Sequence, residues 1–152
     1  IGGAGEKVLL RIVARHADAW NVPALTVDEY AHKLDVIRGH CGAVGRDYDA
    51  IEKSMEPRLL FFNRRSEMER VVDWYHRFMG DVGQAGALKP KAETGGQLRD
   101  QYLLGSVAEV TERVGRYVEA GVEHFMLYFL DYPSAEGLER FASEVMPHFK
   151  QR

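Results

Sequence analysis

The sequence predicts an α/β fold on a parallel sheet, and three observations carry that prediction. Four strand-like segments, near residue 1 and at 18–22, 53–61 and 124–130, are each followed by apolar residues at helical spacing. Alternating strand and helix implies a parallel sheet with right-handed crossovers. The last segment, Phe125-Met126-Leu127-Tyr128-Phe129-Leu130, is apolar without a break, which suits a parallel strand covered on both faces. Two capping boxes, Thr26 with Glu29 and Ser106 with Glu109, mark helix starts, and Gly45 and Gly121 mark the ends. Four such units fit an open sheet or half of an eight-stranded barrel.

The elements follow in order. Ile1 reads as the end of a strand and Gly2-Gly3-Ala4-Gly5 as a tight turn. Val8, Leu9, Ile12, Val13 and His16 then give one helical face over roughly 6–17. Asp18 to Val22 reads as a short strand that Pro23 ends. The second helix carries Tyr30, Leu34, Ile37, Cys41 and Val44 on its apolar face. The strand at 53–61 contains Pro57, which removes a ladder donor. A helix over 65–79 follows, with Met68, Val71, Val72, Tyr75 and Phe78 on one side. The glycine-rich stretch from Gly80 to Gly96 reads as a mobile loop, long enough for a lid or an insertion. A short turn or helix at 97–104 rejoins the core. Val107, Val110, Val114, Tyr117 and Val118 form the next helical face. Leu138, Phe141, Ala142, Val145, Met146 and Phe149 form a closing helix over 135–149, with Ser134 as its cap.

Composition narrows the class. The chain has 152 residues, 45% of them hydrophobic and 28% charged, which excludes a disordered tail, a collagenous chain and a disulfide scaffold. Net charge is -3, and no basic stripe is longer than Arg64-Arg65, so a phosphate-tracking nucleic-acid surface is not expected. The single Cys41 falls on a helix's apolar stripe and reads as a buried, inert thiol. No apolar run approaches the roughly 20 residues of a membrane span. A cytoplasmic setting is expected. The chain begins Ile1-Gly2-Gly3 without an initiator Met, so processing or a longer parent protein is expected.

Chemistry is expected at a few places. Gly2-Gly3-Ala4-Gly5 lies between strand and helix, where small residues let backbone N–H groups approach an anion and the helix dipole favours a phosphate. Lys7 adds charge nearby, although a simple tight turn has the same sequence. Trp20 and Asn21 sit at the C-terminal end of a predicted strand, the end that binds ligands in parallel α/β folds. Trp20 offers a stacking face or core packing; Asn21 offers a donor and an acceptor, or a turn. Tyr128, Phe129 and Asp131 share that end of the last strand, with packing expected for Phe129. His16, His32 and His40 fall on helices, solvated or at interfaces, and His124 lies at the strand end away from ligands. The histidines have no metal-binding spacing, so no metal is expected. Glu67, Glu69 and Asp73 read as solvated helix positions.

Several stretches together resemble one family. Ile1 to Lys7 and Leu10 to Asn21 are similar to the segment around the glycine turn of luciferase-like monooxygenases. Lys33 to Cys41 and Val44 to Tyr48 continue the likeness toward the deazaflavin (coenzyme F-420)-dependent branch. Leu104-Gly105-Ser106, Glu109-Val110, Ala120-Gly121-Val122 and His124 to Phe129 resemble its ending. The matches span most of the chain outside the 80–100 loop. The resemblance implies a TIM (β/α)8 barrel, of which residues 1–152 are the C-terminal half, strands five to eight. It implies an oxidoreductase that transfers a hydride between coenzyme F-420, or FMN, and an organic substrate. Gly2, Gly3, Ala4 and Gly5 are then backbone contacts to the cofactor phosphate, with Trp20 and Asn21 in the cofactor pocket wall. No catalytic acid or base is named, because the resemblance puts that machinery in strands one to four.

A half barrel exposes two sheet edges and, by expectation, an apolar inner face. It is expected to pair with its N-terminal half or to self-associate as a homo-oligomer. Two other readings stay open: a non-catalytic half barrel kept for binding or oligomerisation, and an unrelated phosphate-binding α/β enzyme such as a flavodoxin-like domain. The latter needs a complete strand before its phosphate loop, and almost nothing precedes Gly2.

Overall fold

The computed structural model describes residues 1–64, 66–67, 69–70 and 100–149. Its elements are α1 (Leu9–His16), β1 (Ala19–Pro23), α2 (Val27–Val44), β2 (Glu52–Glu56), β3 (Arg58–Phe61), β4 (Leu103–Gly105), α3 (Val107–Ala120), β5 (His124–Phe125), β6 (Tyr128–Phe129) and α4 (Glu136–Arg140). Every strand pair is parallel. The predicted α/β class and the strands at 18–22 and 53–61 therefore match what is observed, whereas near residue 1 Gly2 makes only an isolated bridge to Asn21.

One strand organises the sheet. β2 and β3 are two runs of it, parted by Pro57. β2 lies between β1 and β5, whereas β3 lies between β4 and β6. The missing N–H of Pro57 falls where the neighbour on one side changes from β1 to β4, so no ladder bond is broken. Its carbonyl still accepts from Tyr128 N–H at 3.1 Å.

The helices are placed by their ends. Thr26 Oγ1 accepts from Glu29 N–H while a Glu29 carboxylate oxygen accepts from Thr26 N–H, and Ser106 and Glu109 repeat this reciprocal cap. Gly45 and Gly121 end these helices in left-handed conformations. α2 buries Tyr30, Leu34, Ile37 and Cys41 as its periodicity predicts. Burial also pushes the Cys41 thiol pKa up, as expected of an inert thiol.

Four expectations need correction. α1 starts later than residue 6 and buries Leu10, Val13 and Ala14; of the predicted face Val13 is buried and Leu9 packs against the core, but Val8 is 68% and Ile12 44% exposed. The segment at 97–104 contains strand β4; its residues 100 and 101 are helical. The run 124–130 is split into two two-residue strands, because it follows the kinked centre strand on either side of Pro57. The closing helix is α-helical only to Arg140; residues Phe141–Val145 form a π turn and Met146–His148 a 3-10 turn. Pro147 lies in that last turn, and its missing N–H removes a bond that a continuous α-helix needs. Ser134 is not the cap residue, but its Oγ accepts from Glu136 N–H at 3.1 Å.

The predicted helix at 65–79 is described only at residues 66, 67, 69 and 70, which are helical. The predicted loop at 80–96 lies outside the described residues.

Candidate functional site

The C-terminal ends of parallel strands gather the loops of such a sheet. The first of these is the glycine turn. Gly2 bridges Asn21 in parallel, Gly3 N–H donates to Asn21 O at 2.9 Å, and Asn21 N–H donates to Ile1 O at 3.0 Å. The Trp20 indole N–H donates to Gly3 O at 2.8 Å. Gly3 adopts φ +124°, a backbone region hostile to other residues, and a Cβ there would sit 3.0 Å from Leu9 Cδ1. Beyond the turn, α1 begins at Leu9 with no side-chain cap at Val8 and no acidic residue in its first turn. Among the described residues no carboxylate or hydroxyl caps the N-terminal donors of α1, of which Leu10 N–H is taken by Gly5 O at 3.0 Å.

The turn is also fastened from α2. The Glu6 carboxylate accepts from Lys33 Nζ at 2.5 Å and meets His32 Nε2 at 3.0 Å. His40 Nε2 donates to Glu6 O at 2.9 Å. The Lys33 hydrogen bond is the main cause holding the Glu6 carboxyl below the usual carboxylate range. His32 and His40 are therefore at an interface, one of the two placements expected for them.

Trp20 and Asn21 point to opposite sides of β1. Trp20 is fully buried, with its ring centre 5.4 Å from that of Tyr30 on α2. The core-packing reading of Trp20 matches this geometry, and its indole supports the turn from beneath. Asn21 faces the other side. The Ser54 hydroxyl donates to Trp20 O at 3.0 Å, with Asn21 Oδ1 as a second acceptor at 3.1 Å. Among the described residues, nothing hydrogen-bonds the Asn21 amide nitrogen.

The register defines that inner face. Asn21 pairs with Ser54 and Ser54 with His124, so all three point the same way. Ala19 with Glu52 and Pro23 with Glu56 share it. His124 Nδ1 meets Glu52 Oε1 at 2.7 Å across this face. The expectation of an apolar inner face is thus corrected along β1, β2 and the start of β5: every side chain there is polar or small. The helix side instead carries Trp20, Val22, Met55 and Phe125. Strand alternation around Ser54, between Lys53 and Met55, is the sequence signal that could have found this face.

The other strand ends are closed by the chain itself. After β3, Glu67 accepts from Asn63 N–H and Arg64 N–H at 2.9 and 3.1 Å, so it caps a turn and is not merely solvated. After β6, Asp131 Oδ2 accepts from Gly137 N–H at 2.7 Å, just past a cis Tyr132-Pro133 bond. Tyr128 is half exposed, whereas Phe129 packs edge-on against Phe141 at 6.2 Å, as expected. A cavity of about 1150 Å³ lies in the helix layer, lined by Phe125, Leu127 and Phe129. Its walls are mostly apolar, and its polar rim holds Arg38, Tyr48, Asp49, Glu119 and the Lys53–Glu123 pair, bonded at 2.8 Å.

No family model and no curated protein matches the sequence. Solved structures do match the fold. An F-420-dependent secondary alcohol dehydrogenase in complex with an F-420–acetone adduct superposes with a TM-score of 0.76 at 17% identity, over 96% of this chain and 47% of that one. The coenzyme F-420-dependent tetrahydromethanopterin reductase from Methanopyrus kandleri gives 0.70 at 18%, over 98% and 50%. The oxygenating constituent of 3,6-diketocamphane monooxygenase from Pseudomonas putida, in complex with FMN, gives 0.62 at 18%, over 96% and 47%. The chain spans about half the length of these proteins. Its parallel sheet and helix layer thus have the fold of the luciferase-like TIM-barrel oxidoreductases and monooxygenases.

Proposed function

We propose that this chain is the C-terminal half, strands five to eight, of a luciferase-like barrel oxidoreductase whose glycine turn holds a cofactor phosphate. One observation carries the reading. Gly3, in a conformation reserved for glycine, is tied to Asn21 and Trp20 at the head of a helix whose N-terminus lacks a side-chain cap. Such a turn fits a phosphate monoester, because it presents backbone N–H groups and the positive end of a helix dipole. Gly2, Gly3, Ala4 and Gly5 form the proposed phosphate cradle; Gly3 N–H is held by Asn21 O, so the donors proposed for the phosphate are those of its neighbours, with Gly3 setting the turn. Asn21 offers its amide to the inner face, and Trp20 holds the turn's shape.

The cofactor in this reading is coenzyme F-420, with FMN as the alternative, and it supplies hydride transfer to or from an organic substrate. The general acid and the substrate pocket are assigned to the upstream half. Titration of the full-length protein with F-420 and with FMN, followed by visible absorbance, tests the reading. Saturable binding of one of them is expected; binding of neither overturns it.

A second reading, a non-catalytic half barrel for binding or oligomerisation, is favoured by the sheet edges. Among the described residues, β5 and β6 are paired on one side only, and β1 has beyond it only the Gly2 bridge. We therefore propose that the upstream half, or a second copy in a homo-oligomer, covers these edges. Light scattering of the 152-residue chain should show association; a stable monomer would count against it. Among the described residues no helix is long and apolar enough to cross a membrane, and a cytoplasmic setting is part of this proposal.

A further inference from the structure

We propose that Glu6 is a positioning residue for the glycine turn, and that Lys33, His32 and His40 of α2 both aim it and neutralise it so that the turn accepts a phosphate monoester. This rests on the reading of the turn as a phosphate site.

Glu6 is the one acidic residue between Ile1 and Leu9, and its place is awkward. A free carboxylate at the mouth of an anion cradle repels the anion that the helix N-terminus attracts. Here the carboxylate is drawn aside. Oε1 takes both Lys33 Nζ and His32 Nε2; the Lys33 side chain is 17% exposed and that of Glu6 40%, so the pair is only partly open to screening. The charge that would repel a phosphate is spent on α2.

The same contacts fix a backbone direction. His40 Nε2 bonds the Glu6 carbonyl and so turns it toward α2. In a trans peptide the carbonyl and the following N–H point opposite ways. The N–H of Lys7 is thereby aimed away from α2. Three side chains spread along one helix therefore set both the charge and the donor geometry of a loop more than twenty residues earlier.

An ordinary ion pair that merely joins α1 to α2 would affect stability and nothing else. The test separates the two roles by pairing each cofactor with its phosphate-free form. Full-length wild type and Lys33→Met are titrated with FMN and riboflavin, and with F-420 and its phosphate-free deazaflavin. Wild type is expected to favour the phosphate-bearing partner. Lys33→Met is expected to cut that preference by about tenfold, with phosphate-free affinity within about twofold of wild type. Adding Glu6→Gln to Lys33→Met is expected to restore much of it, because the uncompensated charge is gone. Should Lys33→Met not fold, Glu6→Asp keeps the charge but draws it out of reach, and the same loss of preference is expected. An unchanged preference in a variant whose wild type discriminates overturns the clamp. A wild type that binds a cofactor but does not discriminate overturns the phosphate reading itself, and the clamp with it.

Discussion

The two faces of the sheet obey different rules. Toward the helices, Trp20 and Lys53 lie side by side, then Val22, Met55 and Phe125, packed under α2 and α3. Toward the interior, the neighbouring positions are Asn21, Ser54 and His124. Residues one step apart in sequence thus serve opposite ends. The helix side holds the chain together through apolar burial, whereas the inner side is polar: Ser54 is buried with its hydroxyl bonded to Trp20 O and Asn21 Oδ1, and His124 is exposed. Even the charge on the helix side is tightly partnered: Lys53 Nζ is bound to Glu123 Oε1 and lies 4.6 Å from the Tyr48 ring centre.

Substitutions should break this contrast or sharpen it. The largest effect is expected at Trp20, where Trp20→Ala removes a fully buried ring and should cost about 3–5 kcal/mol in urea unfolding. A cost that small at Trp20 as to match the inner face would erase the distinction. Next comes Gly3→Ala, expected to cost about 1–3 kcal/mol because an L-residue is strained at φ +124°. That loss should appear in thermal melts together with weaker binding of the phosphate-bearing cofactor.

Tyr117 gives a third, mid-sized test on the helix side. Its buried hydroxyl donates to Leu25 O at 2.5 Å, and Tyr117→Phe should cost about 1–2 kcal/mol. Burial is the main cause that pushes its pKa from 10.0 to about 12. The folded state therefore holds the phenol proton more tightly than the unfolded state. Its contribution is complete below pH 10 and fades as pH rises toward 12, so alkaline unfolding should be shallower across that window in Tyr117→Phe. The smallest effect is expected on the inner face. His124 and Glu52 are 55% and 49% exposed, and His124→Gln should shift stability by less than about 1 kcal/mol. A loss of several kcal/mol there would mean that the inner face is structural after all.

The parts of the fold legible in sequence were those decided locally. Capping boxes and left-handed glycines fix the ends of α2 and α3 within a few residues of chain. The face of α1 was not legible, because Val8, Leu9, Leu10, Ile12, Val13 and Ala14 place apolar atoms on almost every side. Only the approach to the sheet selects Leu10, Val13 and Ala14. β4 is three residues long, too short to show alternation, and exists because β3 offers it an edge. Within the site, the glycine turn was visible from its spacing. The fastening of Glu6 was not, since its partners lie 26 to 34 positions away on a helix whose polar side looks merely solvated. Nor was the polar inner face, for a hydropathy reading of the 53–61 strand sees its apolar residues before it sees Ser54.

The change of neighbours at Pro57 has a consequence for how this chain can vary in length. Beyond Pro57, Leu59, Leu60 and Phe61 pair with Leu103, Leu104 and Gly105, and Phe62 N–H donates to Gly105 O at 2.9 Å. The chain therefore leaves and rejoins the sheet at adjoining points. The connection between residues 62 and 103 is therefore closed at its base by one short ladder. A parallel pair needs a connection of only about a dozen residues. Each doubling of a flexible loop adds only about 0.6 kcal/mol of closure cost. A change in the length of this connection therefore leaves the register on either side of Pro57 fixed, because that register is set by β1, β4, β5 and β6.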